Sequence, residues 1–266
     1  MPQRPSPPLI TLLTDFGQQD HFVGVMKGVI ATIAPRARVI DITHETPPYQ
    51  IAQARFTLAQ SWPFFPPRTI HVVVVDPGVG SARRPILVEA RDHRFVGPDN
   101  GVFSDLMALT GAKVRQITNA RLFLPEVSAT FHGRDIFAPV AAHLAAGLAA
   151  SRVGPLIADA LRLPSAAVLR STERTWIGQV LAIDRFGNLI TNLSLSELPD
   201  LTRRRFVLSV GPARISDFAP SYSTGAPGKP MVVAGSSGRL EIAMNQEAAA
   251  AHLRVACGAR VQLTFD

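Results

Sequence analysis

The chain of 266 residues holds one cysteine, Cys257, and three lysines, Lys27, Lys113 and Lys229. A single cysteine excludes a disulfide framework or a thiolate metal site within one chain, and its place reads as core filler. With so little lysine, the net charge of +7 is carried almost wholly by arginine. The arginines stand singly except at Arg83-Arg84 and Arg203-Arg204-Arg205, with no basic stripe interleaved with aromatics. An isoelectric point near 10.6 raises nucleic acid as a partner, but this scatter argues against one. No apolar run approaches the ~20 residues a membrane span needs. Met1 to Pro8 is polar and proline-rich where a signal peptide is basic and then apolar, so the expectation is a soluble, cytoplasmic protein with no membrane partner. The histidines, His21, His44, His71, His93, His132, His143 and His252, include no pair at metal-ligand spacing beside a carboxylate, so no catalytic metal is expected. Hydrophobic residues make up 47% and charged residues 18%, the composition of a globular chain rather than a disordered one.

The fold expected is α/β. Leu9 to Thr14 reads as a strand, followed by a polar loop and a helix whose apolar residues Phe22, Val25, Met26, Val29, Ile30 and Ile33 recur three and four apart. Val39 to Ile42 is a second strand, Ile51 to Trp62 a helix, and Ile70 to Val75 a continuous apolar strand of the kind covered on both faces. Leu87 to Ala90 and Arg94 to Val96 suggest a hairpin, Val102 to Leu109 a helix, Val114 to Ile117 a strand, and Ile136 to Leu148 an alanine-rich helix. These patterns define an N-terminal α/β sheet domain over residues 1–152. Residues 153–171 have no clean period and read as a linker. Residues 172–266 hold short strand candidates at Trp176 to Ile183, Leu189 to Leu193, Phe206 to Val210, Met231 to Ala234, Leu240 to Ala243 and Val261 to Phe265, with one short helix at Gln246 to Leu253. Their close spacing favours a smaller C-terminal β-rich, barrel-like domain.

Five segments carry groups able to do chemistry. Asp15 and Asp20 follow the first strand, at the sheet edge where α/β proteins bind ligands. Only Gly17 lies between them, so no phosphate cradle is expected, and carboxylates here suit a ribose diol or a cation. Asp20 has a second reading as the cap of the following helix. Asp76 ends the buried strand, and the turn Pro77-Gly78-Val79-Gly80 returns Arg83 toward it, as a site or as a structural salt bridge. Asp99-Asn100-Gly101 reads as an ordinary turn. His132 precedes a helix, between Phe131 and Gly133, where it can relay a proton near neutral pH. Asp184, Phe186 and Asn188 stand between two apolar strands, either as a hairpin loop or as an aromatic and an amide able to stack on and read an adenine. Ser236-Ser237-Gly238 is a second polar loop running into a strand.

Taken in order, TDFG at 14–17 with Asp20, DPGVG at 76–80 with Arg83, FHGRD at 131–135, DRFGN at 184–188 and SGRLEIA at 237–243 resemble the S-adenosyl-L-methionine (SAM) hydroxide adenosyltransferases, SAM hydrolases related to the fluorinase and chlorinase. The resemblance implies an N-terminal α/β domain, a linker and a C-terminal barrel-like domain. It further implies a trimer, or a hexamer of two trimers, with sites shared between the first domain of one subunit and the second of its neighbour. It implies hydrolysis of SAM to adenosine and L-methionine without a cofactor, with a preference for the (R)-sulfonium epimer. Asp76, Arg83 and His132 then organise the water that attacks the ribose C5′, and Asp15 holds the ribose hydroxyls. Asp20 and Asp184 serve the ribose or methionine end, and Phe186 and Asn188 the adenosine. Ser236, Glu241, Ala243 and Met244 are adenine and methionine contacts, and Phe131 lines the substrate site. Tyr49 matches an aromatic of the halogenases, while Gly133 stands at their halide position. The alternatives are a SAM-dependent halogenase and a non-catalytic adenosine-binding protein. A methyltransferase is disfavoured, because no glycine-rich loop follows the first strand.

Overall fold

Alternation of apolar residues along a strand decides what each face of a sheet meets. A computed structural model describes residues 6–266, and the proline-rich opening read at Met1 to Pro8 lies outside the described residues as far as position 5. The chain divides into two units, the first ending at Pro164 and the second spanning Ser165–Asp266.

In the first unit, six strands form one mixed sheet: β1 (Leu9–Thr14), β2 (Arg38–Thr43), β3 (Ile70–Val74), β4 (Pro85–Ala90), β5 (His93–Pro98) and β6 (Lys113–Gln116), in the order β2-β1-β3-β5-β4-β6. β2, β1, β3 and β5 run parallel, and β4 is antiparallel to both β5 and β6. Helix α1 (Phe22–Ile33) buries Val23, Met26 and Ile30, a three-and-four spacing that lays one stripe on the sheet. Helices α2 (Ile51–Ser61), α3 (Ser104–Met107) and α4 (Ala138–Ala145) complete this unit. Along β1, Ile10 and Leu12 join the core with α1 and α4, while Leu13 joins the core with Leu58 and Phe103. Along β3, Val72 and Val74 face the first core and Val73 the second. Both faces of β3 are therefore covered, which is why its sequence is a continuous apolar run.

The expected helix at Val102 to Leu109 is a single turn, α3. The expected helix at Ile136 to Leu148 begins earlier, as a π-turn over Gly133–Phe137 that passes into α4 with Pro139 in its first turn. Residues 153–164 lie along the first unit: Arg115 bridges Leu156, and the Leu161 amide donates to Asp99 Oδ1 at 2.8 Å.

The second unit holds β7 (Leu169–Thr172), β8 (Thr175–Ile183), β9 (Leu189–Ser194), β10 (Phe206–Val210), β11 (Ala213–Ile215), β12 (Phe218–Ala219), β13 (Pro230–Ala234), β14 (Arg239–Met244) and β15 (Arg260–Phe265), with helix α5 (Ala249–Leu253). The path is β11-β10-β15-β8-β9-β14-β13-β12, with β7 on β8. The first half of β8 pairs with β15 and its second half with β9, so the sheet curls at this long strand. The curl brings Val180, Leu208, Val232, Leu240, Val261 and Leu263 into one core. Among the described residues no ladder joins β11 to β12, so the barrel-like domain expected from strand spacing is a curled, open sheet.

Candidate functional site

The carboxyl ends of β1 and β3 lie side by side, because the two strands are parallel and in register from Ile10↔Ile70 to Thr14↔Val74. Asp15 and Asp76 therefore emerge at the same sheet edge. Both line a cavity of about 320 Å³, together with Phe16, Phe22, Tyr49, Val79, Phe131, His132 and Gly133. Phe131 meets Phe16 and Phe22 edge-on, at centroid separations of 5.9 and 5.1 Å. Gly133 is fixed by space: a Cβ there would meet Met26 Sδ and the rings of Phe131 and Phe16 at 3.2 to 3.4 Å.

The turn after β3 brings Arg83 back onto Asp76. Arg83 Nε donates to Asp76 Oδ1 and Oδ2 at 3.0 and 2.9 Å, and its Nη2 donates to Oδ2. The same Nη2 donates to His132 Nδ1 at 2.7 Å. A guanidinium has no acceptor, so Nδ1 must be unprotonated and the ring proton sits on Nε2. Burial, reinforced by the Arg83 charge, holds the His132 imidazole below its ordinary range, against the pull of Asp76, Asp135 and the Ser128 carbonyl. Arg83 also lies over the Phe137 ring, 5.1 Å from its centroid. Asp15 is pushed above the ordinary carboxylate range by burial, although the Tyr49 amide donates to its Oδ2 at 2.9 Å. Tyr49 takes a left-handed φ of 67°, which turns its N–H onto Asp15 and leaves its ring exposed. Asp20 stands apart. It is exposed and does not line the cavity, and α1 begins at Phe22 with His21 at the N-cap position and no side-chain cap, so the capping alternative is not realised.

The remaining sequence-derived residues belong to the second unit. Asp184 organises the β8–β9 loop: its Oδ1 accepts from the amides of Phe186 and Asn188 at 2.9 and 2.8 Å, and its Oδ2 accepts from Asn188 Nδ2 at 2.8 Å. Gly187 makes the turn with a φ of 84°. Asn188 is thereby buried, whereas Phe186 is 76% exposed. On β14, Glu241 and Ala243 share one face and Met244 falls on the other with Leu240 and Ile242, so these three side chains do not converge. Burial pushes the Glu241 carboxyl up, against the hydrogen bond that Tyr222 Oη donates to its Oε2 at 2.6 Å. A Cβ at Gly235 would run into the Glu241 carboxyl, so the absence of a side chain there is what lets Glu241 sit where it does. Ser236 is exposed, while its neighbour Ser237 buries an Oγ that has no partner.

Sequence reasoning missed Tyr222, which lies in a serine-rich loop with no periodic signal, and the pairing of Ser128 with Asp135, which the π-turn brings back toward the loop before His132. Among the described residues, no cluster of histidine, cysteine, aspartate or glutamate is placed to hold a metal ion, and no helix is long and apolar enough to cross a membrane.

Residues 10–154 match the SAM hydroxide adenosyltransferase N-terminal domain, and residues 178–262 match the corresponding C-terminal domain. An (R)-S-adenosyl-L-methionine hydrolase of Salinispora tropica is 40% identical over 97% of this chain and 98% of that protein. A protein of the same name from Thermus thermophilus is 36% identical over 96% and 98%. The crystal structure of an uncharacterized conserved protein from Thermotoga maritima superposes with a TM-score of 0.89 at 38% identity, covering 96% of this chain and 99% of that one. Matches to both domains in order, identity maintained over nearly the full length, and the aspartates, arginine and histidine gathered at one sheet edge place this chain in the SAM hydroxide adenosyltransferase family.

Proposed function

We propose that the chain is a SAM hydrolase, in which water displaces methionine from the ribose C5′ of S-adenosyl-L-methionine to give adenosine and L-methionine. The observation that carries this reading is the Asp76-Arg83-His132 cluster at the wall of a largely apolar cavity. The sulfonium makes methionine a neutral leaving group, so displacement needs chiefly an oriented, partly desolvated oxygen in line with the C–S bond. The O–C5′ bond forms as the C–S bond breaks, the electron pair goes to sulfur, and one proton is released. A carboxylate has about four lone-pair positions, so Asp76 keeps acceptor capacity for water beyond its bonds to Arg83. The His132 lone pair at Nδ1 is already engaged by Arg83, and its Nε2–H is a donor. In this reading Asp76 holds and polarises the water, Arg83 fixes Asp76 and His132 together, and Asp15 takes the ribose hydroxyls.

Phe186, Asn188, Glu241 and Ala243 serve the adenosine and methionine ends, with Asp184 acting by shaping the loop. The preferred substrate is the (R)-sulfonium epimer, as the names of the relatives suggest. The enzyme works in the cytoplasm as a trimer or a hexamer of two trimers, each site being completed by a neighbouring subunit. Purified protein incubated with SAM in oxygen-18 water is expected to form adenosine labelled at the 5′ hydroxyl, with inversion at a stereospecifically deuterated C5′. Absence of adenosine refutes the activity. Retention at C5′ refutes direct attack by water and points to a covalent ester. A main product of 5′-chloro-5′-deoxyadenosine in excess chloride establishes a halogenase instead. Light scattering is expected to give three or six chains, and a fully active monomer refutes the shared site.

A further inference from the structure

We infer that Asp135 is a positioning residue for His132, acting through Ser128. The inference deepens the proposed hydrolase reading and rests on it for the role of His132. Asp135 is fully buried, lies in the π-turn three residues after His132, and is ionised among partners that hold it so. Burial would push its carboxyl up, but Arg134 and Ser128 outweigh that and hold it below the ordinary range. Arg134 Nε donates to Oδ1 at 2.5 Å and its Nη2 to Oδ2 at 3.1 Å, and the Ser128 amide donates to Oδ2 at 2.8 Å. The Asp135 carbonyl accepts from the Leu124 amide at 3.0 Å, so one residue ties down two points of the loop leading to His132. Ser128 in turn accepts, at its Oγ, from the Phe131 amide at 3.0 Å, one residue before the histidine.

Held at its amide by Asp135, Ser128 in turn holds the Phe131 amide, and the histidine that follows has its Nδ1 taken by Arg83 on the other side. The imidazole is thus oriented from two directions, by Arg83 and by the loop that Asp135 carries. The charged groups acting on the ring are Arg83, Asp76 and Asp135, and the negative charge of Asp135 partly offsets that of Arg83. A neutral acceptor at position 135 would still hold the Ser128 amide, but would not supply this charge. A π-turn is rare and often marks a functional site, and here it puts a fully buried carboxylate beside a catalytic loop.

The test uses the full-length protein labelled with 15N-histidine, with the His132 signals assigned by their loss in His132→Gln. Wild type is expected to show the neutral Nε2–H tautomer. In Asp135→Asn the His132 titration is expected to move to lower pH, kcat for adenosine formation to fall about tenfold or more, and KM to stay within about twofold. A folded Asp135→Asn protein with wild-type His132 signals and titration overturns the inference, even if its melting temperature drops, because a merely structural anchor does that. If Asp135→Asn does not fold, Ser128→Ala, in an exposed loop, carries the decision. It loosens the loop at Phe131 and is expected to perturb the His132 signals and to lower kcat about fivefold, and unchanged signals and rate overturn the inference. The spectra need no substrate, so absence of adenosine from wild type refutes the hydrolase reading while the positioning of His132 is still decided.

Discussion

Replacing Arg83 by lysine keeps the positive charge and removes the fork that joins Asp76 to His132. Arg83 reaches both Asp76 oxygens through Nε and Nη2, and reaches His132 Nδ1 at 2.7 Å through the same Nη2. A lysine ammonium is a point charge that replaces one of these arms, so the His132 bond and one Asp76 bond are lost. Hydrogen bonds to charged groups are worth about 1.5–3 kcal/mol each. The side chains of Arg83 and Asp76 are 8% and 4% exposed, so solvent restores little of what is lost. Two lost bonds give about 3 kcal/mol at the lower end, which is roughly 150-fold in rate. Arg83 is not itself in the cavity wall, so adenosine affinity is expected to stay near wild type while kcat falls. Chromatographic measurement of adenosine at saturating SAM, with calorimetry for adenosine binding and circular dichroism for folding, makes the comparison. An Arg83→Lys enzyme that folds and turns over within about threefold of wild type refutes the idea that the fork organises the site.

Asp76→Ala and His132→Ala are expected to abolish turnover with adenosine binding largely intact, and wild-type turnover in both variants, measured by the same product assay, removes the cluster from the mechanism. Gly235→Ala is expected to displace Glu241 and weaken adenosine binding about tenfold or more, since the new methyl occupies the place of Glu241 Oε1. Calorimetry reads this, and unchanged affinity shows that Glu241 is not needed in its observed position. His71, buried and bonded to Thr11 Oγ1 at 2.7 Å, is pushed down to about 3, by burial first and then by His93. Its folded value lies below its unfolded one, so as pH falls below 6.5 the unfolded chain takes up the proton first, and stability is lost at about 1.4 kcal/mol per pH unit toward pH 3. His71→Gln is expected to flatten the acid limb of melting temperature against pH, and an unaltered limb assigns acid sensitivity to another group.

The sequence by itself determined the strands whose side chains bury on both faces and the helix with one apolar stripe. Ile70 to Val74 and Phe22 to Ile33 can be read because burial acts on each residue separately and leaves a period. It also singled out Asp15, Asp76, Arg83 and His132 as candidates, because each ends an apolar run or sits at a turn, where a polar residue is not demanded by packing. Short edge strands escaped. β7, β11 and β12 have four, three and two residues, too few for alternation to register, and they exist only because a neighbouring strand offers its backbone. Tertiary structure alone decided that the ends of β1 and β3 bring Asp15 beside Asp76, that Arg83 spends one nitrogen on two partners, and that Asp135 reaches back to Ser128. It also decided that Met244 turns away from Glu241 and that the second sheet curls without closing. Direction is the physical reason. Composition and period record how deeply a residue is buried, whereas a hydrogen bond depends on where two side chains point, and that is fixed only when strands distant in sequence take their register.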